Sequence, residues 1–134
     1  MCGSCNVRID DVWLRLRTNQ VYRTPDHERG VTFLLSEVNE ASIEILPQEL
    51  VINRVCFSDV VHYLRYYQHY DTNPCTINSN DDPNLSGDLC LTARVRNHNE
   101  RRCINYILPI LQNHGLAGID CTEPNTTWLV SRGA

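Results

Sequence analysis

The run Cys103–Leu111, CINYILPIL, constrains this chain more than any other stretch. Cys103, Ile104, Ile107, Leu108 and Leu111 fall three or four residues apart, which gathers them on one stripe of a helix and obliges the rest of the chain to cover it. Asn99 is placed to cap that helix, with Glu100, Arg101 and Arg102 as a polar first turn. Gly115 can take the left-handed conformation that closes a helix near Asn113–Gly115. Pro109 stands against an unbroken helix, because in an interior turn it removes a hydrogen bond and forces a bend. The expectation is a helix that kinks at Pro109 or whose second half is a separate turn.

Before this helix, Leu91–Arg96 reads as a short amphipathic segment, set off by the turn-like Asn97-His98-Asn99. After it, the β-prone runs Ile119–Cys121 and Thr127–Val130 flank Glu123-Pro124-Asn125, a hairpin signal with a longer loop. A short helix, a tight turn, a longer helix followed by Gly115, Leu116 and Ala117, then a hairpin: over Leu89–Val130 this order resembles the winged helix-turn-helix of DNA-binding proteins. The resemblance implies double-stranded DNA as partner, for a transcriptional regulator or the recognition component of a DNA-processing system. The helix near 99–114 would lie in the major groove, and the 119–130 wing, with Asn125 in its loop, against the backbone.

Arg101 and Arg102 would then stand at the leading end of the helix, where a planar guanidinium holds a guanine edge or a phosphate with two hydrogen bonds. Arg94 and Arg96 would add phosphate contacts, while Asn99 and Asn105 either read adenine or cap and solvate. One winged helix has a small footprint, so a palindromic target implies a homodimer. The plainer reading of the same arginines is a solvated helix face.

The N-terminal half alternates instead. Val12–Arg17, Val21–Arg23, Val31–Val38, Ser42–Leu46 and Leu50–Asn53 are the strand candidates, forming a small antiparallel sheet that needs a partner for its apolar face. Phe57–Tyr70 is the helix to supply it, with Ser58 as cap and Val60, Val61, Leu64 and Tyr67 facing inward. Tyr63, Tyr66 and Tyr70 form a neighbouring stripe beside His62 and His69, read as core and rim, as a protein contact, or as a base-stacking platform. The segment INRVCFSDVVHYL is also similar, through the spacing of Ile52, Arg54, Phe57, Val60 and Leu64, to small strand-then-helix modules of restriction-type systems. Asp71–Gly87 is a polar loop with Cys75–Ile77 as a short extended piece. The expected class is α+β: an N-terminal β subdomain over 1–54 and a helical, winged-helix-like part over 55–134 that contains loop 71–87.

Composition narrows the functions. All 12 basic residues are arginine, which excludes a P-loop lysine, a Schiff-base lysine and a lysine general base. The net charge of −4 argues against indiscriminate coating of nucleic acid, although the arginines of Arg94–Arg102 can still make a local basic face. Histidines 27, 62, 69, 98 and 114 are scattered, and neither a His-Glu-x-x-His motif nor a glycine-rich phosphate loop is present. His98-Asn99-Glu100 is the only hint of a metal-dependent nuclease, so an enzyme is not expected. Asn78–Asp82 lacks the glycine and glutamate of a hand-type calcium loop. Of 7 cysteines, Cys56, Cys90 and Cys103 sit in apolar patterns, and Cys2 and Cys5 form the one close pair. A structural zinc site wants four ligands, usually two such pairs, so no cofactor is assigned and Cys2 and Cys5 remain the only metal candidates. No run approaches the roughly 18 apolar residues of a membrane span, and the N-terminus lacks the layout of a secretory signal, which points to a cytoplasmic setting.

Overall fold

The structure, a computed structural model, describes residues 3–26 and 28–130, with side chains from Arg8 onward. Cys2 and His27, and the side chain of Cys5, lie outside that description. Strands β1 (Val21–Arg23), β2 (Thr32–Val38), β3 (Ser42–Leu46) and β4 (Leu50–Asn53) pair antiparallel in that order, close to the expected boundaries. Successive side chains of a strand point to opposite faces, so Tyr22, Phe33, Leu35, Ile43, Ile45, Leu50 and Ile52 all end in the core. Side chains close the hairpins. Thr24 Oγ1 accepts from the Val31 N–H at 2.9 Å, and Asn39 Oδ1 accepts from the Ala41 and Ser42 N–H groups, each at 2.9 Å.

Val12–Arg17 is not a strand. It belongs to helix α1 (Gly3–Arg15) and the turn after it. Val12, Leu14 and Leu16 do alternate, but Ile9, Val12, Trp13 and Leu16 lie at helical spacing, and those four are buried while Leu14 is 73% exposed. The helical stripe wins because it reaches a partner: the Trp13 ring meets Phe57 edge-on at 5.0 Å, and its Nε1–H donates to the Asn39 carbonyl at 2.7 Å. The Arg54 guanidinium covers the same indole at 5.2 Å and pairs with Asp10.

Helix α2 (Arg54–Tyr66) follows β4 without a loop and buries Cys56, Phe57, Val60, Val61 and Leu64. It starts earlier than the expected Phe57, leaving Ser58 buried within the helix rather than capping it. It also ends before Tyr70, because Gln68 takes a positive φ of 56° and the His69 N–H returns to the Leu64 carbonyl at 2.8 Å. Then come β5 (Cys75–Thr76), α3 (Asp88–Arg94), a 3-10 turn (His98–Glu100), α4 (Ile104–Asn113), β6 (Ala117–Asp120) and β7 (Thr126–Leu129). The last three strands form a second antiparallel sheet in the order β5-β7-β6, and the Trp128 indole lies directly on its cross-strand partner Gly118, where a Cβ would collide.

Helix α4 differs from expectation at its start. Asn99 and Glu100 have positive φ angles of 54° and 50°, and Arg101 is extended, so the helix begins at Ile104 and carries neither arginine. It runs through Pro109 as one helix and closes as expected, with Gly115 at φ 80° and the Leu116 N–H bonded to the Leu111 carbonyl at 2.9 Å. Seven of its residues are buried: Ile104, Tyr106, Ile107, Leu108, Pro109, Ile110 and Leu111. Phe33 of β2 meets Tyr106 edge-on at 5.2 Å, so the first sheet packs on α4 and a single core joins both halves of the chain. The class is α+β, and among the described residues no helix is long and apolar enough to cross a membrane.

Candidate functional site

The exposed flank of α2 carries rings where a solvated helix would carry charges. With Val60, Val61 and Leu64 turned inward, His62 and Tyr66 face out, and Tyr63 and Tyr67 sit at the margin. Tyr66 is 70% exposed and Tyr67 53%. The rings lean on one another: Tyr63 to Tyr67 at 4.7 Å, Tyr66 edge-on to Tyr67 at 4.9 Å, and His62 to Tyr66 at 6.1 Å. Facing them are Thr92 of α3 and, just past its end, Val95, itself 61% exposed. Between the two helices lies a concavity of about 500 Å³, lined mainly by apolar surface.

One end of this groove is fixed by an ion pair. Arg96 holds Asp59 with both prongs of its fork, Nε to Oδ2 at 3.0 Å and Nη2 to Oδ1 at 2.5 Å, which raises the guanidinium above its ordinary pKa. Burial raises the pKa of the Tyr63 hydroxyl as well. Tyr70, expected to complete the stripe, lies beyond the helix end and packs against the core, and Tyr67 takes its place.

The residues singled out from the sequence scatter. Arg96 serves the groove through Asp59. Arg94 staples the polar loop to the 3-10 turn, donating from Nη1 to the Asn80 and Asp81 carbonyls at 3.2 and 3.1 Å and from Nε to the Glu100 carbonyl at 2.8 Å. Arg102 lies 2.9 Å from the Asp81 carboxylate and donates to Ser79 Oγ at 3.3 Å. Arg101 and Asn99 are exposed on the turn before α4. Arg102, Asn105 and Asn125 do converge, on a polar cleft between the β1–β2 loop, the start of α4 and the β6–β7 loop, where Asn125 Nδ2 donates to the Pro25 carbonyl at 2.5 Å. Cys56, Cys90 and Cys103 are buried free thiols, and among the described residues no group of three His, Cys, Asp or Glu side chains is placed to hold a metal.

Two residues with large roles went unmarked in the sequence. Asn97 is buried, accepts the Asn53 N–H at 3.0 Å and donates to the Arg101 carbonyl at 3.1 Å, tying the end of β4 to the turn before α4. Its position in Asn97-His98-Asn99 announces a turn but not the partner forty-four residues away. Val95, flanked by Arg94 and Arg96, is the other, an apolar residue left in water between two engaged cations. No family model matches the chain, and no curated protein or solved structure matches it.

Proposed function

We propose that this protein is an interaction module that takes an apolar anchor side chain of a partner protein into the groove between α2 and α3. The observation that carries the reading is the exposure of Tyr66 and Tyr67, more than half open while stacked around an apolar hollow. Tyrosines held by neighbouring rings lose little entropy on contact, which is why they recur as binding hot spots. The hollow is of the size that accepts one or two large side chains.

A second reading, double-stranded DNA binding by a winged-helix-like half, has in its favour the order α3, 3-10 turn, α4 and β6–β7 hairpin. Against it stand the near-complete burial of α4 and the engagement of Arg94, Arg96 and Arg102 by neighbouring carbonyls and carboxylates. Those contacts leave Arg101 as the one arginine of the four whose guanidinium has no partner among the described residues.

Peptides selected on the intact protein from a random library test the first reading. They should share an aromatic or long aliphatic residue and lose binding when Tyr66→Ala and Tyr67→Ala are combined. Selected peptides indifferent to that double variant would refute it. A gel-shift titration with duplex DNA tests the second: complex formation abolished by Arg101→Ala with Arg102→Ala supports it, and no complex with the wild type removes it.

A further inference from the structure

Helices α2 and α3 wall the tyrosine groove, so it presents no strand edge to an incoming chain. Its polar groups are lopsided. The hydroxyls of Tyr63, Tyr66, Tyr67 and Thr92 belong to its lining, and among the described residues none of them has a hydrogen-bond partner. The one carboxylate of the lining, Asp59, is held by its one guanidinium, Arg96. Four hydroxyls free to donate therefore surround an apolar hollow of about 500 Å³ that keeps no unpaired carboxylate. An ordinary extended segment docked there brings an N–H for every C=O, and those N–H groups go short of acceptors. A helical partner has both groups bonded within itself and leaves the four hydroxyls unused. A proline-rich segment fits the imbalance. Proline lacks an N–H, and a polyproline II helix bonds none of its carbonyls internally, so the segment arrives as acceptors joined to apolar rings. Its backbone is already restricted, which lowers the entropy lost on docking.

We infer that the groove takes a proline-rich segment of a partner protein in the polyproline II conformation, an inference that rests on the reading of this groove as an interaction site. One long aliphatic or aromatic residue of the segment fills the hollow, and the flanking prolines lie on the exposed rings of Tyr66 and Tyr67. The carbonyls of the segment accept from the tyrosine and Thr92 hydroxyls. A charged anchor is disfavoured, because Asp59 and Arg96 are engaged with each other.

Fluorescence anisotropy of the intact protein with labelled Pro-Pro-Pro-X-Pro-Pro-Pro and Ala-Ala-Ala-X-Ala-Ala-Ala, X being leucine or phenylalanine, compares two backbones on one anchor. The better proline peptide should bind at least about tenfold tighter than its alanine counterpart. Tyr66→Phe combined with Tyr67→Phe keeps the rings and removes two donors. It should weaken that peptide by about fivefold or more and leave the urea midpoint unchanged. Equal affinity for the two backbones, no binding of either proline peptide, or an unaffected Kd in the phenylalanine variant overturns the inference. The groove reading outlives those failures wherever library-selected peptides still depend on Tyr66 and Tyr67. Binding of the proline peptide that ignores Tyr66→Ala with Tyr67→Ala overturns the inference too, and selected peptides that ignore it remove the groove reading with it. A dimer in sedimentation velocity that the alanine variant dissolves puts a second copy in the groove and likewise overturns the inference.

Discussion

Replacing Ile107 by alanine tests whether α4 is a pillar of the core or a rod projecting from it. Ile107 is fully buried, at the middle of the helix and inside the cluster that joins both sheets. The change removes three carbons, worth about 2.4 kcal/mol of transfer free energy at about 0.8 kcal/mol each. A wall built by both halves of the chain collapses poorly onto the space left behind, so the cavity adds about 1 kcal/mol. The expected loss is about 3–4 kcal/mol, a large share of the 5–15 kcal/mol typical of a domain. With an m-value of about 2 kcal/mol/M, the urea midpoint should fall by about 1.5–2 M. Circular dichroism and the fluorescence of Trp13 and Trp128, read on one titration, should move together, because Trp13 belongs to the shared core and Trp128 to the second sheet, whose Ala117 and Leu129 belong to it too. A loss below about 1 kcal/mol, or a shift seen by only one probe, would contradict the single-core packing.

The other predictions concern internal hydrogen bonds. Asn97→Ala strands the Asn53 N–H and the Arg101 carbonyl, and should cost about 2–3 kcal/mol in the same urea assay, with Asn97→Asp recovering part of it through the retained acceptor. His114 lies 3.3 Å from the Tyr22 hydroxyl, and burial, helped by Arg15, holds its pKa below the ordinary histidine value. A depressed histidine means that the unfolded chain binds the proton more readily. Its contribution is therefore complete above about pH 6.5 and is lost as pH falls toward the folded-state value. Melting curves between about pH 7.5 and 5.5 should show the wild type losing more stability than His114→Gln, and equal slopes would refute the assignment.

How much of this was legible depends on whether a residue's fate is decided locally. Ile43 and Ile45, or Phe33 and Leu35, alternate within strands too short for any other reading, and β2 to β4 came out nearly in place. Residues 9–16 carry two periods at once, and the choice between them is made by Phe57 and Asn39, which are remote in sequence. The start of α4 is not legible in the sequence because Asn99 and Glu100 take left-handed conformations that a helix-capping pattern does not reveal. The partners of the arginines are hidden for a related reason. Their spacing suggested a common face, but the Asn80 and Asp81 carbonyls that capture Arg94, and the Asp59 that captures Arg96, arrive through the tertiary fold. The tyrosines were visible as a stripe, yet its membership turned on where α2 stops, one turn earlier than the apolar pattern implied.

The decisive experiment is the affinity of one selected anchor peptide for the wild type and for the Tyr66→Ala, Tyr67→Ala variant, at low and at high salt. Both tyrosines are largely exposed, so their removal should leave the urea midpoint within the small range of surface changes. Kd should rise by about thirtyfold or more, as for a hot spot of about 2 kcal/mol, and should hardly respond to salt in the wild type. A Kd unchanged in the double variant, or one that weakens steeply with ionic strength as phosphate contacts would, contradicts the groove as the working surface of this protein.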